Sequence, residues 1–146
     1  MVEEGKPAPD FELLTDEGER MKLSSLRGKH VVLYFYPRDD TPGCTRQACG
    51  LRDAYDELER RGAVVLGVSS DTQASHVRFK EKYGLPFTLL ADPERSIGEA
   101  YGVNREGGRT FERSTFVIDA EGNIVRVLRR VDPTSHAEQV LAALPQ

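Results

Sequence analysis

The chain has 146 residues, a net charge of −4, 38% hydrophobic residues and 30% charged residues. This composition is typical of a single globular domain, which we expect to span residues 1–146, and it argues against nucleic acid or an anionic membrane as a partner. The sequence contains neither a run of about 18 apolar residues nor a secretory signal, so we expect a cytoplasmic protein without a membrane span, whose two cysteines stay reduced.

The first half of the chain alternates between predicted strands and helices. Two short segments flank Asp16-Glu17-Gly18, a turn sequence that indicates an N-terminal hairpin. Beyond it, apolar runs predict strands over 31–36 and 63–69, and apolar residues at helical spacing predict helices over 44–61 and 73–83.

The second half continues this pattern and ends in a hairpin and a helix. Its predicted elements, in chain order, are a strand over 86–90, a helix opened by Asp92-Pro93 and ended by Gly102, a mobile loop over 103–112, strands over 114–119 and 124–129 joined by a tight turn, and a helix opened by Asp132-Pro133. The alternation predicts an α/β domain of three layers, although periodicity alone does not give the strand order.

Both cysteines lie where the strand over 31–36 hands over to the helix that follows. Thr41 is a good N-cap, Pro42 fits the first helical position, and Cys44 then occupies the third. A thiol in the first turn faces unpaired backbone N–H groups and the positive end of the helix dipole, which favour thiolate over thiol. The alternative is that Cys44 serves as a small apolar residue at the start of a helix.

The spacing between the two cysteines constrains how they can pair. Cys44 and Cys49 are five residues apart, which in a regular helix separates their Cα atoms by about 8.7 Å. A disulfide needs less than about 7 Å. A bond between them therefore requires the first turns of the helix to unwind, which suits a bond that forms and breaks during turnover better than a structural one.

The residues around the cysteines resemble a known family. The pattern Pro37-x-x-x-Thr41-x-x-Cys44 resembles the peroxide-reducing motif of peroxiredoxins, and the run from Thr41 to Cys49 is similar to the peroxiredoxin Q branch, also called bacterioferritin comigratory protein. The similarity continues in four further segments, Ala8-Pro9-Asp10-Phe11, Leu66-Gly67-Val68-Ser69, Phe87-Thr88-Leu89-Leu90-Ala91-Asp92 and Arg113-Ser114-Thr115-Phe116-Val117-Ile118-Asp119. It implies a thioredoxin-like fold, with a mixed central sheet flanked by helices.

The resemblance also implies roles for five residues. Cys44 matches the peroxidatic cysteine and Cys49 the resolving cysteine, which would close an intramolecular disulfide. Thr41 and the Cys44 amide are expected to donate hydrogen bonds to the leaving oxygen, and Arg113 matches the active-site arginine. Pro37 is expected to shield the thiolate from water. We also expect the Cys44 sulfur to be ionised and open to a small oxidant.

Each of these residues also has a plainer interpretation. Cys49 could be a buried cysteine on the apolar face of a helix, Pro37 could merely end a strand, and most arginines are surface charges. Asp39-Asp40 is expected to be a solvated loop rather than a metal site. His30, His76 and His136 show no ligand spacing, so we expect no zinc or haem site. The family resemblance implies an enzyme that uses no metal, haem or flavin.

The resemblance therefore implies a thiol peroxidase that reduces hydrogen peroxide and organic hydroperoxides and is recycled by thioredoxin or a similar dithiol donor. Because the disulfide would be intramolecular, we expect a monomer. Two alternatives stay open. A thiol–disulfide oxidoreductase would carry Cys-x-x-Cys and a proline before the facing strand, which this chain lacks. A redox-sensing or holdase-type protein would use the same unwinding helix as a switch.

Overall fold

The structure, a computed structural model, describes residues 2–144 and is built on a mixed β-sheet. Its strands are β1 (Glu12–Thr15), β2 (Arg20–Lys22), β3 (His30–Phe35), β4 (Ala63–Ser69), β5 (Thr88–Ala91), β6 (Ser114–Ile118) and β7 (Ile124–Leu128). Its helices are α1 (Pro42–Asp53), α2 (Tyr55–Arg60), α3 (Gln73–Tyr83), α4 (Ser96–Ala100) and α5 (His136–Ala143), with a short 3-10 helix at Leu23–Leu26. Met1, Pro145 and Gln146 of the domain predicted over 1–146 lie outside the described residues.

The strands follow the order β2-β1-β5-β4-β3-β6-β7. Strand β3 pairs in parallel with β4 and antiparallel with β6, and β4 pairs in parallel with β5. The N-terminal hairpin of β1 and β2 joins the sheet through antiparallel pairing of β1 with β5. The predicted thioredoxin-like α/β fold, with its mixed sheet and N-terminal hairpin, is confirmed.

The central strand β3 is buried on both faces, as its continuous apolar run predicts. Residues 31–36 are at most 2% exposed. Alternate side chains of this segment enter two apolar clusters on opposite faces of the sheet, Val31, Leu33 and Phe35 in one and Val32, Tyr34 and Tyr36 in the other. The second cluster also contains Cys44, so α1, which carries both cysteines, packs on this face of the sheet together with α5.

The helix predicted over 44–61 is in fact two helices, α1 and α2, which are separated at Ala54. Ala54 has φ −94° and ψ 2°, outside the helical range. Leu51 and Leu58 on either side of the break are fully buried. Because one apolar stripe passes through the break, periodicity alone could not reveal it.

The helix predicted to open at Asp92-Pro93 begins later, at Ser96. The residue before it, Arg95, has φ 57°. The Asp92 carboxylate nevertheless accepts hydrogen bonds from the amides of Ile97 at 3.1 Å and Gly98 at 2.9 Å. Asp92 therefore caps α4 across an intervening turn rather than from the N-cap position, so the predicted start was wrong.

The start predicted for α5 at Asp132-Pro133 was also wrong, because α5 begins at His136. The Asp132 carboxylate accepts from the Thr134 amide and hydroxyl, and this local turn precedes the helix. The loop over 103–112 is closed by a backbone bridge between Asn104 and Phe111, and its mobility stays a prediction. Within residues 2–144, no helix is both long and apolar enough to cross a membrane.

Candidate active site

Cys44 lies at the third position of α1, directly after the loop that leaves β3. Thr41 is the N-cap residue with extended backbone angles, φ −96° and ψ 155°, and Pro42 opens the helix. The position predicted for Cys44 is thereby confirmed. However, Cys44 is only 1% exposed, because the inner face of α1 packs on the apolar cluster that also holds Tyr34 and Ala48. In this conformation the expectation of a sulfur open to a small oxidant was therefore wrong.

Arg113 lies beside the Cys44 sulfur. It directly precedes β6, whose antiparallel pairing with β3 brings it to the end of the sheet where α1 begins. Arg113 Nη1 donates to Cys44 Sγ at 3.4 Å and to Gln47 Oε1 at 2.7 Å. A Cβ at Gly43 would lie only 3.0 Å from Arg113 Nη2, so glycine leaves the space that the guanidinium occupies. The structure thus brings together two residues that are far apart in sequence.

Thr41 and Pro37 lie on the loop between β3 and α1. The Thr41 side chain makes no capping hydrogen bond. Instead, its hydroxyl donates to the Arg38 carbonyl at 3.0 Å. In this arrangement the Thr41 oxygen can accept a hydrogen bond but has no free proton to donate, which corrects the expected donor role. Pro37 is half-buried on the same loop.

Cys49 shares α1 with Cys44, and both thiols are free. Cys49 is half-buried and lines a surface cavity of about 430 Å³. Asp40 and Tyr83 line the same cavity, and the Tyr83 hydroxyl donates to Asp40 Oδ1 at 2.7 Å. Because both cysteines are helical, the geometric argument for unwinding before disulfide formation applies to the structure as it stands.

Asp39 anchors the loop before α1, contrary to the prediction that Asp39-Asp40 is solvated. Its side chain is 3% exposed and accepts from the Tyr36 hydroxyl at 2.6 Å and from the Ser75 hydroxyl at 2.7 Å. His76 Nδ1 lies 2.7 Å from Asp39 Oδ2. Burial and the Asp39 carboxylate raise the pKa of Tyr36 well above its usual range, so its hydroxyl stays protonated and donates. Only Asp40 fits the prediction of an exposed residue.

Three buried polar residues to which the sequence analysis assigned no role in the site extend it behind Arg113. Gln47 Nε2 lies 3.2 Å from His136 Nδ1, and His136 Nε2 lies 2.7 Å from Thr115 Oγ1. Burial, together with the nearby Arg113 charge, lowers the pKa of His136 to about 4. Gln47 was visible only as part of the motif. His136 could have been suspected because it lies four residues before the buried Val140, on the same face of α5.

The depressed pKa of His136 predicts a specific loss of stability in acid. An unfolded histidine protonates near pH 6.5 and the folded one near pH 4. The unfolded state therefore binds more protons between these values, and stability present at pH 7 is lost as pH falls from about 6.5 to about 4. A difference of this size corresponds to about 3 kcal/mol.

Urea unfolding of the wild type and His136→Asn at pH 7, 5.5 and 4 measures this effect. The variant lacks the titrating ring, so the advantage of the wild type is expected to shrink by about 3 kcal/mol over this range. A difference that stays constant with pH would contradict the assignment of a neutral, buried His136.

Comparison with known proteins agrees with this geometry. Residues 4–127 match the AhpC/TSA family. The chain is 50% identical to the putative peroxiredoxin bcp of Coxiella burnetii over 98% of this chain and 99% of that protein. It is 46% identical to the peroxiredoxin Bcp of Bacillus subtilis over 98% and 95%. The crystal structure of peroxidoxin BcpB from Mycobacterium tuberculosis superposes with a TM-score of 0.91 at 33% identity, covering 98% of this chain and 96% of that one.

A match over most of its length shows that the chain belongs to the AhpC/TSA family. Its identity to Bcp proteins over nearly the full length of both partners is more specific. The chain is a peroxiredoxin of the Bcp and peroxiredoxin Q branch, and so a thiol-dependent peroxidase. The resemblance first seen in the residues around Cys44 is thereby confirmed.

Proposed function

We propose that Cys44 is the peroxidatic cysteine and Cys49 the resolving cysteine of an atypical two-cysteine cycle that reduces hydrogen peroxide and organic hydroperoxides. The observation that carries the proposal is the contact of Arg113 Nη1 with Cys44 Sγ at 3.4 Å, at the N-terminal end of α1. A permanent cation contacts the sulfur, and the sulfur belongs to a first helical turn with its unpaired amides and positive dipole end. Both stabilise negative charge there.

In the first step, the Cys44 thiolate attacks one oxygen of the peroxide. An S–O bond forms, the O–O bond breaks, and the second oxygen leaves as water or an alcohol after gaining a proton. Cys44 is left as sulfenic acid. The leaving oxygen carries developing negative charge, which Arg113 and the Cys44 amide stabilise. Thr41, whose proton is used by the Arg38 carbonyl, orients the peroxide by accepting its hydrogen.

Entry of the peroxide requires a small opening, because Cys44 is 1% exposed. The half-buried Pro37 sits on the loop that leads to α1 and is assigned the role of keeping bulk water from the sulfur. Proline has no backbone N–H group, so Pro37 leaves no amide without a hydrogen-bond partner where it shields the sulfur. A nearly dry site also strengthens the interaction between Arg113 and the charge that develops on the peroxide.

In the second step, α1 unwinds and the Cys49 thiolate attacks the sulfur of the sulfenic acid. An S–S bond forms between Cys44 and Cys49, and the hydroxyl leaves as water. A dithiol donor such as thioredoxin then reduces the disulfide by exchange and is itself oxidised. The exposed cavity beside Cys49 gives a partner thiol access to this sulfur. A monomer in a reducing compartment such as the cytoplasm fits this cycle.

Replacing Cys49 with alanine tests the proposed division of labour. The variant is expected to consume about one equivalent of hydrogen peroxide in a rapid burst, since the first step needs only Cys44. It should then stall with thioredoxin and its reductase, because no intramolecular disulfide can form. Cys44 should accumulate as sulfinic acid at excess peroxide.

Stopped-flow peroxide consumption and intact-protein mass measure the burst and the oxidation state. The wild type provides the matched turnover rate, and insulin-disulfide reduction without peroxide tests for a general thiol–disulfide oxidoreductase. Undiminished steady-state turnover in Cys49→Ala would show that another thiol resolves the sulfenic acid, and the assignment of Cys49 would be withdrawn.

A further inference from the structure

A directional hydrogen-bond chain runs from Arg113 into the protein interior. Arg113 Nη1 donates to Gln47 Oε1 at 2.7 Å, Gln47 Nε2 lies 3.2 Å from His136 Nδ1, and His136 Nε2 lies 2.7 Å from Thr115 Oγ1. Gln47, His136 and Thr115 are each at most 1% exposed. We refer to these three residues as the Gln47 relay. Because these residues are shielded from water, each broken hydrogen bond leaves a buried polar group without a partner.

The chemistry of the groups fixes the direction of every bond in the relay. A guanidinium only donates, so Gln47 must turn its oxygen to Arg113 and its NH₂ group to His136. His136 Nδ1 must then accept, which requires the neutral ring with its proton on Nε2. That proton is donated to Thr115 Oγ1. A proton on Nδ1 would face the Gln47 NH₂ group, and rotating the amide to correct this would turn NH₂ towards the guanidinium.

The relay connects the segment that must unwind for disulfide formation to segments that can keep their structure. Gln47 lies on α1 between Cys44 and Cys49, within the segment that unwinds for disulfide formation. Thr115 is in β6, where it pairs with Tyr34 of β3, and His136 begins α5. Unwinding therefore separates Gln47 from His136 and at the same time removes the acceptor that holds Arg113 Nη1.

We propose that His136 and Thr115 are positioning residues, which hold Gln47, and through it Arg113, in place for peroxide reduction and which delay the unwinding of α1. The inference rests on the proposed two-cysteine cycle. While α1 is held, the Cys44 sulfenic acid waits for Cys49. A second peroxide can oxidise it to sulfinic acid in that interval, adding one oxygen to sulfur and releasing water or an alcohol. The relay thus sets the balance between disulfide formation and over-oxidation.

Thr115→Val is the sharpest test, because valine keeps the size and β-branching of threonine but cannot accept the His136 proton. His136→Leu removes the ring and serves as the second variant. Loss of one buried hydrogen bond corresponds to about a five- to tenfold change in rate or population. We expect each variant to reduce peroxide about five- to tenfold more slowly, to form the disulfide faster, and to accumulate several-fold less sulfinic acid per turnover.

General loosening of the packing between α1 and α5 would also favour unwinding, so the control must separate it from the relay. Val140→Ala creates a cavity at a fully buried position of α5 outside the relay. Thermal denaturation shows whether it lowers stability at least as much as Thr115→Val. It should leave the peroxide rate and the sulfinic fraction within about twofold of the wild type.

The measurements are stopped-flow peroxide reduction and the disulfide and sulfinic fractions by intact mass, over a series of peroxide concentrations with thioredoxin present. The proposal is supported if both relay variants shift the peroxide rate and the sulfinic fraction while Val140→Ala does not. It is overturned if the relay variants match the wild type, or if Val140→Ala shifts both quantities equally. Absence of a Cys44–Cys49 disulfide in the oxidised wild type would instead remove the proposed function itself.

Discussion

Replacing Cys44 with serine is expected to abolish peroxide consumption, lowering the rate by more than about a thousandfold. A hydroxyl at this position stays protonated near neutral pH and is a poor nucleophile towards a peroxide oxygen. The contact with Arg113 at 3.4 Å cannot compensate for this, because one cation does not ionise an alcohol. The substitution removes only the sulfur, so the fold should persist.

Stopped-flow consumption of hydrogen peroxide measures the effect, and thermal denaturation shows that the variant is folded. Cys49→Ser is the matched control, since it makes the same change on the same helix and should retain the first equivalent of peroxide reduction. If Cys44→Ser consumed peroxide at a rate close to that of the wild type, the assignment of the peroxidatic sulfur would be wrong.

Replacing Arg113 with glutamine is expected to lower the second-order rate with peroxide by about a hundred- to a thousandfold. Glutamine keeps a hydrogen-bond donor but removes the charge that faces both the sulfur and the leaving oxygen. It also leaves Gln47 Oε1 without the guanidinium donor found at 2.7 Å. Arg113→Lys restores the charge without the planar fork, so we expect its rate to be intermediate.

Arg109→Gln is the control for Arg113, because it neutralises an exposed arginine in the preceding loop. Its rate should stay within about twofold of the wild type, since an exposed charge is screened by salt and water. Equal losses in Arg109→Gln and Arg113→Gln would show that net charge near the site, rather than contact with the sulfur, determines the rate.

The setting of Cys44 could be predicted from sequence because its determinants are local. A six-residue apolar run, an N-cap threonine and a proline at the first helical position occur within a short stretch, and each has a strong preference. The central strand and the third position of Cys44 in α1 were therefore correct. The location of Arg113 needed the family resemblance, since one arginine among many carries no positional signal of its own.

The buried polar contacts could not be predicted in this way. His76 and Asp39 are 37 residues apart, and Gln47 and His136 are 89 apart, so their meeting depends on the whole tertiary structure. Asp39 was predicted to be solvated together with Asp40, and burying a carboxylate without hydrogen-bond partners would cost free energy. The tertiary structure offsets that cost with hydrogen-bond donors from Tyr36, which directly follows β3, and from α3. The sequence of the loop alone gives no sign of these donors.

The attachment of Asp39 has a consequence for how the molecule deforms. The Asp39 carboxylate accepts hydrogen bonds from Tyr36 and from a residue of α3. Asp39 lies two residues before the N-cap of α1. Under the proposed cycle, these hydrogen bonds hold the backbone at Asp39 in place. The rearrangement is then confined to the residues that follow Asp39, in α1. Each catalytic cycle then changes the conformation of one short helical segment while the sheet keeps its structure. The site around the reduced Cys44 can therefore re-form on the same sheet.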